Sequence, residues 1–435
     1  MKKENSEMKV TRRSFLAGAT VAAAFEGCGT AGACRRKAGE PFAGWKRGEF
    51  QAHFIHTGVG ESIFLIFPDS TSMLLDCGDC PAIMRKQYAV PVPDPWSMGG
   101  ETVADYVLKV NPNGKNVDYM MTSHWHSDHT GTPNWQSCGT IVFTSREYYR
   151  SGFGIAAEKL VFKKALDRGY PTFDDPIPAG TSWDRELEHM KMLYAYLQKR
   201  DGLVVEKFRL GATDQIALTH GGAKDFSAFN ISANGRVAFR DGMVKDALKL
   251  KPGTRYFSEN PFSLGVVFSY GPFRFYTAGD FSHGCKHAEG RPGVEGVMAE
   301  ACGEVDVAKL NHHGHHSMPA ALVKALKARC LVACVWDQKH VTEDTLTTLS
   351  DRSLYPGDRM ILPTVFPKER LAEDAGRAYL ADIPEAVRND GAHIVLTVPA
   401  GGRTYTMTCL DPSDKELRVK AEYAFVTKVK GEGAA

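Results

Sequence analysis

Short apolar runs separated by turn residues dominate the chain from residue 50 onward. The segment FQAHFIHTGVGESIFLIFPDSTSMLLD alternates apolar and polar positions and is interrupted by glycine, proline and aspartate, which predicts consecutive β-strands. The segment ETVADYVLKV has acidic residues near its start and is ended by Asn111 and Pro112, which predicts a helix. The next apolar run, VDYMMTS, predicts another strand.

Helical spacing of apolar residues returns in residues 145–215, in EYYRSGFGIAAEKLVFKKAL and SWDRELEHMKMLYAYLQKR. Strands are predicted for DQIALTH, FNISANG, SLGVVFSYG, FRFYTAGD and CLVACVW, and helices for MPAALVKALKA and TLTTLSDRSL. The tail AHIVLTVPAGGRTYTMTCL predicts two strands joined at Ala400, Gly401 and Gly402. Because strand-rich and helix-rich segments alternate in two halves, we expect sheets with helices outside them and not a helix bundle.

The first 33 residues have a different pattern from the rest of the chain. Arg12 and Arg13 precede a phenylalanine and a short alanine-rich apolar segment, and the AGA of residues 31–33 fits the A-x-A rule for signal cleavage. This layout resembles a twin-arginine signal peptide, which implies export of the folded chain to the periplasm or envelope. Lipid attachment at Cys28 or Cys34 is an alternative, although both surroundings match a lipobox poorly.

Composition excludes few functional classes. Of the 435 residues, 43% are hydrophobic and 24% are charged, as in ordinary globular proteins. The net charge of +2 gives no electrostatic argument for a nucleic-acid partner, which remains an open alternative. The chain has no run of about 18 or more apolar residues, so no membrane span is predicted. The spacing of the ten cysteines assigns no disulfide pairs, and no oligomeric state is predicted.

Residues 120–132, MMTSHWHSDHTGT, concentrate potential metal ligands in the pattern H-x-H-x-D-H. Because side chains alternate along a strand, His124 and His126 at an extended strand end point the same way and can bind one ion together. Asp128 and His129 follow in a turn and can reach a second ion, and both residue types bind zinc, manganese and iron. A polar loop is the alternative, but four such residues in six directly after a strand favour a metal site.

Later strand ends carry further candidates. FRFYTAGD ends with Asp280, and VAKLNHHGHHS contains His312 and His313. The order of H-x-H-x-D-H, late aspartate and late histidine resembles the metallo-β-lactamase superfamily, and most closely its ComEC-like hydrolase domains. HTGVGESIFLIF, LLDCGD, NPFSLGVVF and KLNHHG match further motifs of that type, and the resemblance spans residues 51–317.

The resemblance implies an α/β fold, the αββα sandwich of the metallo-β-lactamase fold, and two divalent metal ions. Zinc is the expected metal, with manganese or iron as alternatives. The implied ligands are His124, His126, Asp128, His129, Asp280, His312 and His313.

Individual roles are also implied by the resemblance. The first two histidines of the cluster bind one ion, its last two ligands bind the other, and Asp280 bridges both. One of His312 and His313 completes the second site, while the other faces substrate phosphate or water. Asp76, in LLDCGD, orients a ligand histidine from outside. Asp128 and His313 are the candidate catalytic residues, with Asp128 accepting a proton from water.

One ligand of many superfamily members has no clear counterpart. Between the histidine cluster and Asp280 the chain has only His189 and His220. His189 falls in a predicted helix and is expected at the surface, whereas His220 is better placed, at a predicted strand end. We expect the first ion to rest on its remaining ligands and to be held more weakly than the second. Glu61 also departs from the aspartate that is usual at its position.

The expected organisation is a signal peptide at residues 1–33, a linker at 34–49 and a catalytic domain at 50–430. That domain is expected to carry a helical insertion at 145–215 and a strand/helix extension at 335–430. The expected function is hydrolysis by a metal-activated water, and the double histidine favours phosphodiesters, either nucleic acid or a small phosphoester. The alternatives are a lactam, lactone or thioester hydrolase, a catalytically silent envelope binding module, and a di-iron redox protein.

Overall fold

The computed structural model describes residues 38–80, 91–132, 147–174, 184–248, 258–282 and 293–428. The predicted signal peptide lies outside the described residues. No helix in the described ranges is long and apolar enough to cross a membrane.

The described strands are numbered in chain order. They are β1 (Phe50–Phe54), β2 (Ile63–Ile66), β3 (Ser72–Leu75), β4 (Asn116–Met121), β5 (Val161–Asp167), β6 (Val204–Lys207), β7 (Phe226–Ala233), β8 (Arg236–Ala238), β9 (Val244–Asp246), β10 (Gly265–Tyr270), β11 (Phe273–Ala278), β12 (Val307–Lys309), β13 (Cys330–Ala333), β14 (Met360–Pro363), β15 (His393–Val398), β16 (Thr404–Leu410) and β17 (Val419–Val426). The described α-helices are α1 (Gly99–Val110), α2 (Ser127–Thr130), α3 (Phe153–Lys159), α4 (Asp184–Asp201), α5 (Val294–Ala301), α6 (Ala320–Leu326), α7 (Glu343–Ser350) and α8 (Lys368–Glu373).

These strands form two mixed sheets. The first sheet has the order β17-β16-β15-β1-β2-β3-β4-β5-β6, and the second has the order β14-β13-β12-β11-β10-β7-β8-β9. Each sheet has an antiparallel half and a parallel half. The parallel halves are β3 to β6 in the first sheet and β11 to β14 in the second. The parallel pairs include β3 with β4 and β11 with β12, so the chain leaves each pair at the same sheet edge.

The faces of the first sheet pack against different layers. In β2, Ile63 and Leu65 join the core shared with the second sheet, whereas Phe64 and Ile66 join the core formed with α1, α3 and α4. This alternation follows from the two-residue period of a strand. Residues 38–49, expected as a linker, place Phe42 against the helix-side core as well.

The second sheet also has a helix-covered outer face. Phe273 and Phe275 of β11 stack around Phe50 of the first sheet. Arg274 between them points the opposite way and donates from its Nη2 to the carbonyl of Cys302, directly after α5, at 2.7 Å. The layers are therefore helices, first sheet, second sheet and helices, which confirms the predicted αββα class of α/β fold.

Parts of the predicted helical insertion are wrong. Residues 161–167 are strand β5, paired in parallel with β4 and β6, and not the end of a helix. The sheet offers partners on both sides, and this tertiary context overrides the helical spacing of the apolar residues. Helices α3 and α4 do lie in the segment, but they cover the first sheet, and the strands between them extend it.

One smaller prediction also differs from the structure. DQIALTH is not a strand, because side chains satisfy its backbone: Thr71 Oγ1 accepts from Thr219 N at 2.6 Å and Asp69 Oδ2 accepts from His220 N at 2.7 Å. The C-terminal hairpin of β15 and β16 is present as predicted, and β17 continues it as a further antiparallel strand.

Candidate metal centre

The candidate site lies where the carboxyl ends of two parallel strand pairs meet. Asp76 follows β3, and the histidine cluster follows β4 and continues into α2. From the second sheet, Asp280 follows β11, and His312 and His313 follow β12. The parallel pairing of β3 with β4 and of β11 with β12 brings these strand ends to one edge.

The conformation of the H-x-H segment depends on the residue in its middle. The Trp125 indole is buried, donates from Nε1 to Asp167 Oδ2 at 3.1 Å, and lies 3.7 Å from the guanidinium of Arg168. Arg168 is itself held in a buried, bidentate ion pair with Glu259 at 2.7 and 2.8 Å. This anchoring turns Trp125 to one side, while the two flanking histidine rings lie 4.6 Å apart, centroid to centroid.

Asp280 Oδ2 is the centre around which histidines converge. Its distance is 3.0 Å to His129 Nε2 and 3.2 Å to His313 Nε2. His124 Nε2 lies 3.9 Å away and His312 Nε2 lies 4.0 Å away. Four imidazoles from two sheets therefore present the same nitrogen to one carboxylate oxygen.

Asp128 closes the tighter side of this cluster. Its Oδ2 lies 2.9 Å from His313 Nε2 and 3.5 Å from His129 Nε2, and it accepts a hydrogen bond from Trp336 Nε1 at 3.0 Å. Donors that bind one zinc ion tetrahedrally at about 2.0–2.1 Å lie roughly 3.4 Å from one another. The spacings among Asp128, His129, Asp280 and His313 have that size.

All four of these histidines are oriented through their other ring nitrogen, and His312 Nδ1 donates to the His315 carbonyl at 2.9 Å. His129 Nδ1 bonds to Asp76 Oδ2 at 2.8 Å, His313 Nδ1 bonds to the Cys334 carbonyl at 2.9 Å, and His124 Nδ1 bonds to Ser123 Oγ at 3.0 Å. Such outer bonds fix ring orientation and leave Nε2 available for a metal ion. Asp76 also accepts from Ser123 N at 2.7 Å, so it holds both the ligand and the cluster backbone.

A buried ion pair lies beneath the cluster and was missed as a functional element from sequence. Lys309 Nζ lies 2.8 Å from Glu61 Oε1, and both side chains are fully buried. Glu61 Oε2 lies 3.2 Å from His313 Nδ1. The sequence signals were an acid after G-x-G and a lysine directly before the double-histidine turn, but neither indicated that they pair.

The donor set fits a divalent cation. Glu61, His129, Asp280 and His313 offer ligand atoms that all lie within 4.8 Å of one another, and all four residues are buried. Asp280 Oδ1 is buried and has no hydrogen-bond partner among the described residues. A bound ion would satisfy such a carboxylate and would separate nitrogens and oxygens that now contact each other.

Electrostatics distinguish the two sides of the site. Burial disfavours the charged form of His129 and of His313, but nearby carboxylates, Asp280 foremost, outweigh it and raise both pKa values well above the usual range. Burial likewise opposes ionisation of Asp280 and Asp128, yet the two histidines hold the pKa of each carboxyl well below its usual range. Protons on these histidines occupy the position that a cation would take.

The other histidines behave in the opposite way. Burial lowers the pKa of His126 to about 4, and burial reinforced by the charge of His129 lowers that of His124 well below the usual range. Burial also lowers the pKa of His312. These imidazoles are neutral near pH 7, which is the form that binds metals.

The double-histidine turn has an unusual backbone. His312, His313 and Gly314 have φ values of 48°, 54° and 77°, a left-handed run that costs energy at non-glycine residues. A Cβ at Gly314 would approach Val341 Cγ1 to 2.4 Å, so only glycine fits there. Backbone strain of this kind is found at functional sites because it aims side chains that regular structure would not.

Buried polar groups hold this turn closed at its two ends. Glu295 Oε1 accepts from Asn311 Nδ2 and from Met318 N, each at 2.8 Å. Tyr276 donates to Asn311 Oδ1 at 3.1 Å. Burial raises the pKa of Glu295 to about 8. None of these residues was predicted as part of the site, because their roles exist only once α5 and β11 pack beside the turn.

A cavity of about 280 Å³ opens onto the cluster. Its lining residues are Cys80, His126, Ser127, Asp128, Asp280, His312, His315, Trp336, Asp337, Lys339 and His340. The ring of His340 stacks on that of His313 at 4.8 Å. The cavity is therefore lined by ligand candidates together with a lysine and further histidines.

All seven sequence-predicted ligands and Asp76 come together in this site, whereas the two interval histidines do not join it. His220 Nε2 is bound to Asp118, near the start of β4, at 3.0 Å. His189 contacts the Thr130 carbonyl at 3.3 Å. His189 is fully buried, so its expected surface position is wrong: α4 turns this face toward α2.

Comparisons with known proteins give weak likenesses only. No protein-family model and no curated protein matches the chain. Among solved structures, the chain is similar to Zn(2+)-bound PqqB from Methylobacterium extorquens, with 9% identity, a TM-score of 0.33, and coverage of 69% of this chain and 86% of that one. It is also similar to Tm1679, a metal-dependent hydrolase of the β-lactamase superfamily, with 15% identity, a TM-score of 0.35, and coverage of 72% and 96%. At these values neither likeness assigns an activity.

Proposed function

We propose that the protein is a metal-dependent hydrolase of the metallo-β-lactamase type that uses two divalent ions, with zinc as the expected metal. The observation that carries the proposal is the cluster of two histidines between two carboxylates. Nε2 of His129 and of His313 lies 3.0 and 3.2 Å from Asp280 Oδ2, and 3.5 and 2.9 Å from Asp128 Oδ2. These residues come from both sheets, and no packing requirement explains so many buried ionisable groups at one point. Buried charges of this kind are found paired or bound to metals.

Two bound ions would supply Lewis acidity and an activated water at neutral pH. Asp128 lines the cavity, and its carboxylate can accept a proton from an attacking water. Trp336 Nε1 donates to one oxygen of that carboxylate and holds Asp128 in place. In the ion-free site His313 Nε2 lies 2.9 Å from the same oxygen, and with the second ion bound this nitrogen would be a ligand of that ion.

The substrate that we propose is a phosphodiester, and a small phosphoester in preference to nucleic acid. The resemblance to ComEC-like domains supports the phosphodiester class. Lys339 and His315 line the cavity beside the ligand cluster and can donate hydrogen bonds to phosphoryl oxygens. A space of about 280 Å³ suits a phosphoryl group with small substituents. Lactams, lactones and thioesters are the competing substrates on this fold.

The test is zinc-loaded protein assayed against chromogenic phosphodiester, lactam, lactone and thioester substrates. We expect turnover of the phosphodiester, and we expect His126→Ala to abolish it while the protein stays folded by circular dichroism. Turnover of another substrate class alone would overturn the phosphodiester proposal. Near-native turnover by His126→Ala with full metal content would overturn the site assignment.

We also propose export by the twin-arginine route, with the folded domain delivered to the periplasm or envelope. Arg12, Arg13 and the A-x-A sequence of residues 31–33 support this proposal. Replacing both arginines with lysine should leave the precursor in the cytoplasm in a fractionation experiment. Normal export of that variant would rule out this route.

A further inference from the structure

The first ion of the proposed pair lacks the interval histidine that many superfamily members have. Both histidines of that interval are bound elsewhere: His220 to Asp118 at 3.0 Å and His189 to the Thr130 carbonyl at 3.3 Å. The remaining ligands on this side are His124, His126 and Asp280, and Nε2 of His124 lies 3.1 Å from Nδ1 of His126. A further donor on the cavity side would complete a four-ligand set of protein atoms.

His312 has the position and the ring orientation of such a donor. Its Nε2 lies 4.0 Å from Asp280 Oδ2, which matches the 3.9 Å of His124 Nε2. Its Nδ1 donates to the His315 carbonyl at 2.9 Å, which leaves the lone pair on Nε2. The same arrangement, with Nδ1 bound to a fixed acceptor and Nε2 toward Asp280, occurs at His129 and His313.

The environment of Nε2 agrees with an unprotonated nitrogen that faces the cavity. Asn260 Nδ2 lies 3.3 Å away and donates toward it. The His312 side chain is 22% exposed and lines the same cavity as His126. The left-handed backbone at His312 and His313 separates their ring centroids by 6.1 Å, so consecutive residues can serve different ions.

We propose that His312 is a ligand of the first ion and takes the role of the absent interval histidine, together with His124, His126 and Asp280. This assignment rests on the proposed two-ion function. It places one histidine of the double-histidine turn on each ion: His312 on the first and His313 on the second. The turn therefore couples the two ions through a single backbone segment.

The experiment compares His312→Asn with His316→Asn. Both positions have positive φ, 48° and 46°, and asparagine tolerates that backbone, so neither change should add strain. His316 is exposed and bonded to Asp344 at 3.0 Å, which makes it the matched control in the same loop. His312→Asp serves as a rescue variant because its carboxylate can bind an ion.

The readouts are zinc per chain by elemental analysis, zinc affinity by chelator competition, and the visible spectrum of the cobalt-loaded protein. We expect wild type and His316→Asn to hold two ions per chain. His312→Asn should keep the second ion but lose the first or bind it more weakly. The loss in affinity for the first ion should exceed the roughly 10–100-fold that removing a hydrogen-bond partner of a ligand costs. His312→Asp should recover part of that affinity.

Two results would overturn the assignment in distinguishable ways. If His312→Asn holds both ions with wild-type affinity and an unchanged cobalt spectrum, His312 is not a ligand, and the two-ion hydrolase stands without it. If wild-type protein holds no ion, the proposed function fails and this assignment fails with it. Retention of the second ion by His312→Asn also shows that the variant is folded.

Discussion

The two halves of the metal cluster differ in how far the protein organises them in advance. Around the proposed position of the second ion, donor atoms of neighbouring ligands among Asp128, His129, Asp280 and His313 lie 2.9–3.5 Å apart. Around the first, the nitrogens of His124 and His312 lie 3.9 and 4.0 Å from Asp280. Compact spacing with buried support predicts tight binding, whereas the looser half, open to the cavity, is suited to exchange with substrate and water.

The support behind the two halves differs as well. In the second half, Asp76 holds His129, and the Glu61 carboxylate, paired with Lys309, lies beside His313, whose Nδ1 bonds to the Cys334 carbonyl. In the first half, the fixed partners are a serine hydroxyl for His124 and a backbone carbonyl for His312. Carboxylate partners raise the basicity of a ligand histidine, so the difference should appear in metal affinity and in its pH dependence.

The largest effect is expected from Asp280→Ala, because this residue belongs to both halves. Loss of its carboxylate should remove both ions and lower turnover by more than the roughly 10²–10³-fold cost of removing one preorganised donor. Zinc content and turnover of the proposed phosphodiester are the measurements. Full zinc content in this variant would contradict the shared position of Asp280.

The next largest effect is expected on the free energy of unfolding, from a change to the buried ion pair behind the second half. Glu61→Gln should deprive the buried Lys309 charge of its nearest carboxylate, leaving Asp280 at 3.9 Å, and cost about 3–5 kcal/mol in the free energy of unfolding. Glu300→Gln is the matched control, since Glu300 pairs with Lys245 at the surface and its loss should cost under about 1 kcal/mol. Urea unfolding of the ion-free proteins measures both, and equal costs would refute the role given to burial.

A smaller effect is expected from Asp76→Asn, which alters the partner of one ligand. The affinity for the second ion should fall roughly 10–100-fold, and the first should change less. Chelator competition resolves the two ions. A larger loss of affinity for the first ion would contradict the assignment of His129 to the second ion.

The smallest expected difference between the two halves is in how the metal affinity depends on pH. The pKa values of His129 and His313 are raised by their carboxylates, so in the ion-free protein both are protonated at neutral pH, and binding must displace those protons. Affinity for the second ion should therefore rise with pH, by about tenfold per unit for each proton displaced, until pH exceeds the raised pKa values.

The first ion should show no such rise above roughly pH 5, because the pKa of His126 is lowered to about 4 and that of His124 is also lowered. Zinc titrations from pH 6 to 8 measure both dependences. Equal slopes for the two ions would contradict the distinction between the halves.

Much of the site followed from local pattern, and the rest depended on packing. The H-x-H-x-D-H cluster, Asp280 and the double histidine can be recognised in the sequence as metal-ligand candidates, because clusters of such residues at strand ends rarely serve another role. The pairing of Lys309 with Glu61 could not be read from the sequence, since 248 positions separate residues that only the meeting of two sheets brings together. The same holds for the Trp336 bond to Asp128.

The fold shows the same division. Alternating apolar runs predict most strands and the layer order. The apolar spacing of β5 fits both a helix and a strand, and only its neighbours β4 and β6 decide between them. The position of His189 depends on packing in a similar way. Its helix was predicted, yet which face turns inward is set by α2.

The most direct test of the two-ion site is stepwise removal of zinc from the loaded wild-type protein by chelators of increasing strength. We expect two zinc ions per chain that leave in two separate steps, the first ion with a mild chelator and the second only with a strong one. A chain that retains no zinc after loading, or that releases both ions in a single step, would contradict this expectation.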